Sequence, residues 1–243
     1  MLLGGSMIGK WKPDLITIWK SAQEAEQIYW QKRCNNAVGV MYEMAEHSDL
    51  ADNLLRVIDG KPSAVLDVGI GPMGIGLLWL FPDSRIKIGL DSLSKMKVQT
   101  GNPYVDSLVH RIHGDSIFIR ARGENLPFPA ESFDLVVCNN VLDHAISTNK
   151  LLEELYRVTK RKGHLGIGVD TNSLLGFLIR LINRRLKPHY NPYRLHPYDI
   201  KISEINKHIQ FHGFHILCHN DASMLGAIMG RRRMQWWVAL KGE

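Results

Sequence analysis

AVLDVGIGPMGIG, residues 64–76, is an apolar run that reaches an acid and then breaks into glycines. Ala64 to Val68 has the continuous apolar character of a strand buried on both faces. Gly69, Gly71 and Gly74 supply a turn after it and open a helix expected over Met73 to Phe81. Glycines at such a turn let the backbone bend sharply and approach a ligand with no Cβ in the way, so a ligand belongs at the carboxyl end of the strand. On its own the loop fits a dinucleotide, another adenosine ligand or a plain tight turn.

Working outward, Arg85 to Leu90 is a second apolar run ending in Asp91, about twenty residues after the glycines, where an acid can take both hydroxyls of a ribose. Then follows ENLPFPAESFDLVVCNNVLDH, Glu124 to His144. With that segment the chain resembles the class I S-adenosylmethionine-dependent methyltransferases, especially domains with an LPF...SFD signature of the methyltransferase type 11 kind. The resemblance is close over Leu54 to Gly168 and looser elsewhere. It implies a Rossmann-like methyltransferase fold, α/β and doubly wound, with a mostly parallel seven-stranded sheet and S-adenosylmethionine as cofactor.

The resemblance also implies site residues. Gly69 and Gly71 would lie against the donor's amino acid part, Asp67 would support the loop and the cofactor amine, and Asp91 would hold the ribose, with a helix N-cap as its alternative role. Gly123 and Glu124 would frame the adenine, and the Asn139 backbone would lie near the methionine part. Arg122 stands where relatives usually place an acid that meets the adenine amino group. A guanidinium cannot accept that hydrogen bond, so Arg122 is expected to point outward or to pair with an acid. Trp30 and Arg33, in YWQKR, fall where related enzymes fold a helix over the donor; core packing and a surface position are their alternatives.

Length, charge and cysteines set the outer bounds. The 243 residues suit one α/β domain, divided here into an N-terminal helical cap or lid over 1–60 and a donor-binding domain over 61–243. The formal charge of +6 is too small an excess to argue for nucleic acid as a partner. Cys34, Cys138 and Cys218 are far apart and lack CxxC spacing, so neither a disulfide framework nor a zinc site is supported, and a cytoplasmic location is expected. No run is apolar over some twenty residues, so no stable membrane insertion is expected.

Lys12 to Val57 carries helical spacing, and Asp59 to Pro62 breaks it. Beyond the first strand and helix, the pattern predicts strand Arg85 to Leu90, helix Ser94 to Thr100, and strands Ser116 to Ala121 and Phe133 to Cys138. It then predicts helix Lys150 to Thr159, closed by Arg161, Lys162 and Gly163, and strand His164 to Val169. Phe214 to His219 and Gln235 to Leu240 are expected to pair antiparallel at one edge. Before them, 170–213 is longer than a connecting helix and is expected to cover the substrate.

An acceptor hydroxyl must lose a proton as it is methylated, which makes Asp143, His144 and His196 candidate bases, with a structural histidine as the alternative at His144. Tyr193, Arg194 and His196, in the proline-stiffened YNPYRLHPYD, are candidate acceptor contacts. His208 and His212 have helical spacing but no accompanying carboxylate pattern, so no metal site is expected. The expected function is methyl transfer to a small acidic or amphiphilic molecule, to oxygen first and an amine next, in a pocket with a basic mouth and an apolar wall. Carbon methylation of a lipid or quinone stays open because Leu174 to Ile182 is apolar and flanked by Arg180, Arg184 and Lys187. A nicotinamide-dependent oxidoreductase would share the loop and Asp91 but should carry a unit such as YxxxK; a non-catalytic S-adenosylmethionine-binding protein is kept open by Arg122. A homodimer is compatible with the sequence.

Overall fold

The computed structural model describes residues 15–171, Ile182, 202–220 and 233–242. Seven strands form one sheet in the order β3-β2-β1-β4-β5-β7-β6. They are β1 (Ala64–Val68), β2 (Ile86–Asp91), β3 (Ile117–Arg120), β4 (Phe133–Asn139), β5 (Thr159–Thr171), β6 (Phe214–His219) and β7 (Arg233–Lys241). All neighbours are parallel except β7, which runs antiparallel to both β5 and β6. The doubly wound architecture and the reversed hairpin at the edge are those expected.

Among the described residues three helices precede the sheet: α1 (Leu15–Cys34), α2 (Ala37–Glu46) and α3 (Ser48–Val57). Asn36 caps α2 by accepting from the Val38 and Gly39 N–H groups. Within the sheet follow α4 (Pro103–Gly114), α5 (Thr148–Val158) and α6 (Ile202–Phe211).

The centre of the sheet is buried on both faces, as the unbroken burial of β1 shows, while the edge strands β3 and β6 are partly exposed. Leu50, Ala51 and Leu54 of α3 cover one face against Val65, Leu135, Val137 and Val238. Leu151, Leu152 and Leu155 of α5, with Ile205 and Ile209 of α6, cover the other against Leu66, Val136 and Trp237. A third cluster joins Cys34 and Val40 to Met73, Ile75, Val105 and Val109, so the preceding helices pack on the glycine loop and α4. At the far end of β7, Lys241 is buried and its Nζ donates to the carbonyls of Tyr156 and Thr159 at 2.8 and 2.7 Å.

Three local expectations are corrected. No α-helix forms over Met73 to Phe81, only a 3-10 turn at Leu78–Leu80. Gly74 and Gly76 take φ of 64° and 43°, and the Leu77 N–H donates to the Asp67 carboxylate instead of a helical carbonyl. No helix forms over Ser94 to Thr100 either. The Asp106 carboxylate ties down the Thr100 and Gly101 N–H groups, and the helix starts later, where Asn102 caps it and Pro103 occupies its first turn. Arg161, Lys162 and Gly163 do not close α5 but lie inside β5, where Lys162 has φ 58° and the register against β4 shifts between Phe133 and Leu135.

Leu54 is fully buried and fills the notch left by Gly166 of β5. Leu54→Ala should therefore cost about 2–5 kcal/mol of stability, read as a lower urea midpoint. Val38→Ala, on an exposed side chain of α2, should change little.

Candidate active site

The carboxyl ends of β1, β2, β4 and β5 open on a cavity of about 210 Å³ that α1 and α2 roof over. This is the edge where open parallel sheets bind ligands. Its floor is the glycine loop. Gly69 and Gly71 both have φ 76°, and a Cβ on Gly69 would collide with the Val141 side chain, so the turn requires glycine there. A Cβ on Gly71 would sit 3.3 Å from the Trp30 ring.

Two buried carboxylates hold this loop. Asp67 Oδ2 accepts from the Leu77 N–H at 2.7 Å, closing the loop onto the end of β1. Asp91 Oδ2 accepts from the Gly71 N–H at 3.0 Å, and its Oδ1 from the Leu93 N–H at 2.7 Å. Burial pushes Asp67 up to about 7 and Asp91 up to about 6, with the backbone hydrogen bonds opposing. Asp91 caps no helix, since no helix follows β2 before α4.

The adenine-side loop is clipped from beneath. The Leu126 N–H donates to Glu154, while Arg157 donates to the Phe128 and Leu126 carbonyls at 2.7 and 3.0 Å. Gly123 packs on Val68 and Leu151 with no room for a Cβ. Glu124 is buried, accepts from the Ile146 N–H at 2.8 Å and pairs with Arg122. Arg122 thus pairs with an acid, as its chemistry required, and its guanidinium lies 4.9 Å from the Trp19 ring.

On the other side of the cavity, Asn139 and Asn140 follow one another at the end of β4. Asn140 has φ 57° and donates its N–H to the Gly168 carbonyl. The Oδ1 atoms of both are buried and accept no hydrogen bond. His144 Nδ1 lies 3.2 Å from Glu26 and Nε2 3.6 Å from Asp143, which is buried.

The roof is latched to the sheet edge. Ser92 Oγ donates to Gln23 at 2.6 Å, and Glu26 receives the Trp30 indole N–H at 2.9 Å while facing His144. Trp30 lines the cavity. Arg33 does not; it pairs with Glu43 and stacks over the Tyr29 and Tyr42 rings. Sequence reading missed Gln23 and Glu26, whose polar spacing on α1 looks like any solvated helix face. Burial pushes His47, also in the lining, down to about 4.

Tyr193, Arg194 and His196 lie outside the described residues, as does most of 170–213. The basic mouth and apolar wall were expected of a pocket completed by Leu174 to Asp199, which apart from Ile182 lies outside the described residues, and the described lining is acidic. It carries Glu26, Glu43, Glu46, Asp67, Asp91, Glu124 and Asp170 against the single arginine Arg122.

Residues 66–167 match the family model described as a methyltransferase domain. The chain is 35% identical over 105 residues to the uncharacterized protein MJ1123 of Methanocaldococcus jannaschii, covering 43% of this chain and 46% of that one. It is 30% identical over 99 residues to the uncharacterized methyltransferase YcgJ of Bacillus subtilis, covering 41% and 37%. With the ubiquinone/menaquinone biosynthesis C-methyltransferase UbiE of Pasteurella multocida it shares 26% over 114 residues, covering 47% and 37%. The chain thus spans less than half the length of these curated relatives. The crystal structure of YcgJ has the same fold, with a TM-score of 0.58 at 18% identity over 81% of this chain and 100% of that chain.

On a fold shared with the YcgJ structure, residues 66–167 thus carry a methyltransferase domain. Its cofactor is S-adenosylmethionine, and the structure offers a fitting cradle: a cavity-facing glycine loop, buried carboxylates for a cationic ligand, and two buried amide oxygens lacking donors.

Both raised carboxyls make the folded state hold protons that the unfolded chain has released. Their share of stability is full below the ordinary carboxylate range and is lost as pH rises through about 6 and 7. On the ribose role that the resemblance implies for Asp91, donor binding should run the opposite way, because an ionised carboxylate is the better hydrogen-bond acceptor. Calorimetry should find affinity rising with pH through about 6. Asp91→Asn should flatten that rise and weaken binding about 10–100-fold.

Proposed function

We propose that this domain transfers the methyl group of S-adenosylmethionine to a small-molecule acceptor, with a hydroxyl oxygen as the first reading of the atom methylated. The observation that carries this reading is convergence: the glycine loop with Asp91, the Asn139 to His144 edge and helix α1 all meet on one cavity. When bound, S-adenosylmethionine supplies a methyl group on a sulfonium, which is already electrophilic. The protein's work is then to hold and align, an effect worth up to roughly 7–11 kcal/mol.

In this reading Asp91 binds the ribose, and the Asn139 and Asn140 amide oxygens accept hydrogen bonds from bound N–H or O–H groups. Gly123 and Glu124 frame the base, with Glu124 fixed by Ile146 and Arg122. Trp30 covers the glycine loop as part of a lid that excludes water. Glu26 orients the His144 ring through Nδ1, and Nε2, 3.6 Å from Asp143, takes the acceptor's proton. Asp143 and His196 are the other candidates for that role.

A second reading, amine methylation, is favoured by the acidic lining, which would attract a cationic nitrogen. Carbon methylation is compatible with the partial similarity to UbiE. Release of S-adenosylhomocysteine with matched hydroxyl, amine and quinone acceptors would decide among them; no turnover with any acceptor, despite donor binding, would leave a binding protein.

His144→Ala should lower kcat by about 10²-fold while leaving the donor dissociation constant unchanged. Near-normal turnover would make His144 structural. Removing residues 1–31 should raise the donor dissociation constant about tenfold with the sheet intact by circular dichroism, because α3 onward carries its own core. Unchanged affinity would reduce α1 to packing.

A further inference from the structure

Helix α2 ends in a way its own electrostatics disfavour. The carbonyls at a helix C-terminus concentrate negative charge and are normally met by Lys, Arg or His⁺. The last turn of α2 has no basic residue and carries Glu43 and Glu46, followed by His47 as its C-cap. One ligand atom from each of these three side chains lies within 4.8 Å of the others. The spacing of three and four residues places them along one side of the helix end.

A second observation comes from His47 itself. Its Nδ1 is fully buried and makes no hydrogen bond, which is uncommon for a ring nitrogen surrounded by acids. All three side chains line the cavity. Leu50, one turn beyond His47, packs beside Gly168 of β5.

We propose that Glu43, Glu46 and His47 bind a first-row divalent cation on the wall of this cavity. Two carboxylates with one imidazole suit Mn²⁺ or Zn²⁺. Ligating carboxylates are commonly held by outer hydrogen bonds, and such support is present: Arg33 and the Tyr29 hydroxyl engage Glu43, and the Tyr42 hydroxyl donates to Glu46 at 3.3 Å. The remaining coordination positions take water or an oxygen or nitrogen of the acceptor. That last role rests on the methyl-transfer reading, whereas the ion site itself does not.

The test is a calorimetric titration of the full chain, stripped with a chelator, with manganese chloride and with zinc chloride at neutral pH. The expected result is saturable binding of one ion per chain, weakened about tenfold or more by Glu46→Gln and by His47→Gln. No saturable binding overturns the site, and so does binding that is equal in the unsubstituted chain and Glu46→Gln, which would assign the ion to other histidines. Should His47→Gln fail to fold, Glu46→Gln, on an exposed side chain, decides alone. Donor titration of the same samples separates the two readings: lost donor binding with intact metal binding counts against methyl transfer, and the converse against the ion site.

Discussion

The structure turns on two carboxylates buried at adjacent strand ends. An ionised side chain out of water is costly unless backbone dipoles meet it, and here the N–H groups of Leu77, Gly71 and Leu93 do so. That requirement fixes the path of the glycine loop: Asp67 pulls its far end back to β1, and Asp91 holds its middle against β2. The helix expected after the loop is lost to the same demand. The unrelieved part of the cost remains as raised proton affinity, which leaves the cavity receptive to a cation.

The N-terminal helices divide their labour. Helix α3 belongs to the sheet, since Leu54 fills the notch of Gly166 and Leu50 packs beside Gly168, whose own notch the Asn139 side chain fills. Helices α1 and α2 belong to the cavity, for they contribute acids and aromatic rings and meet the glycine loop through a core of their own. The latch from Gln23 to Ser92 and the contact of Glu26 with His144 cross from roof to floor. A change on α1 can therefore reach the residues at the end of β4 without touching the sheet.

What the sequence made readable was whatever depends on short range. The seven strands follow from apolar runs bounded by turns, and Asp67, Gly69, Gly71, Asp91, Asn139 and His144 are brought to one cavity because strand ends must converge. The misplaced helices have local competitors that periodicity does not weigh: positive φ at Gly74 and Gly76, and the Asn102 cap with Pro103 that sets the true start of α4. Arg33 was drawn away from the cavity by Glu43, a partner ten residues on whose burial no sequence pattern announces. The acidity of the lining was hidden for the same reason. A chain with formal charge +6 gives no hint that its carboxylates gather in one place.

The position of β7 constrains how the molecule can be assembled in time. Among the described residues it is the last strand in sequence, yet it lies between β5 and β6, and β6 pairs with it alone. On a ribosome, β5 would present an unpaired edge until residues 233–241 emerge, and β6 with α6 would wait for the same event. Lys241 then ties the end of β7 to carbonyls that were made more than eighty residues earlier. Completion of the fold is thus a late, long-range step, and the interval before it is when the nascent chain is most open to edge-to-edge association.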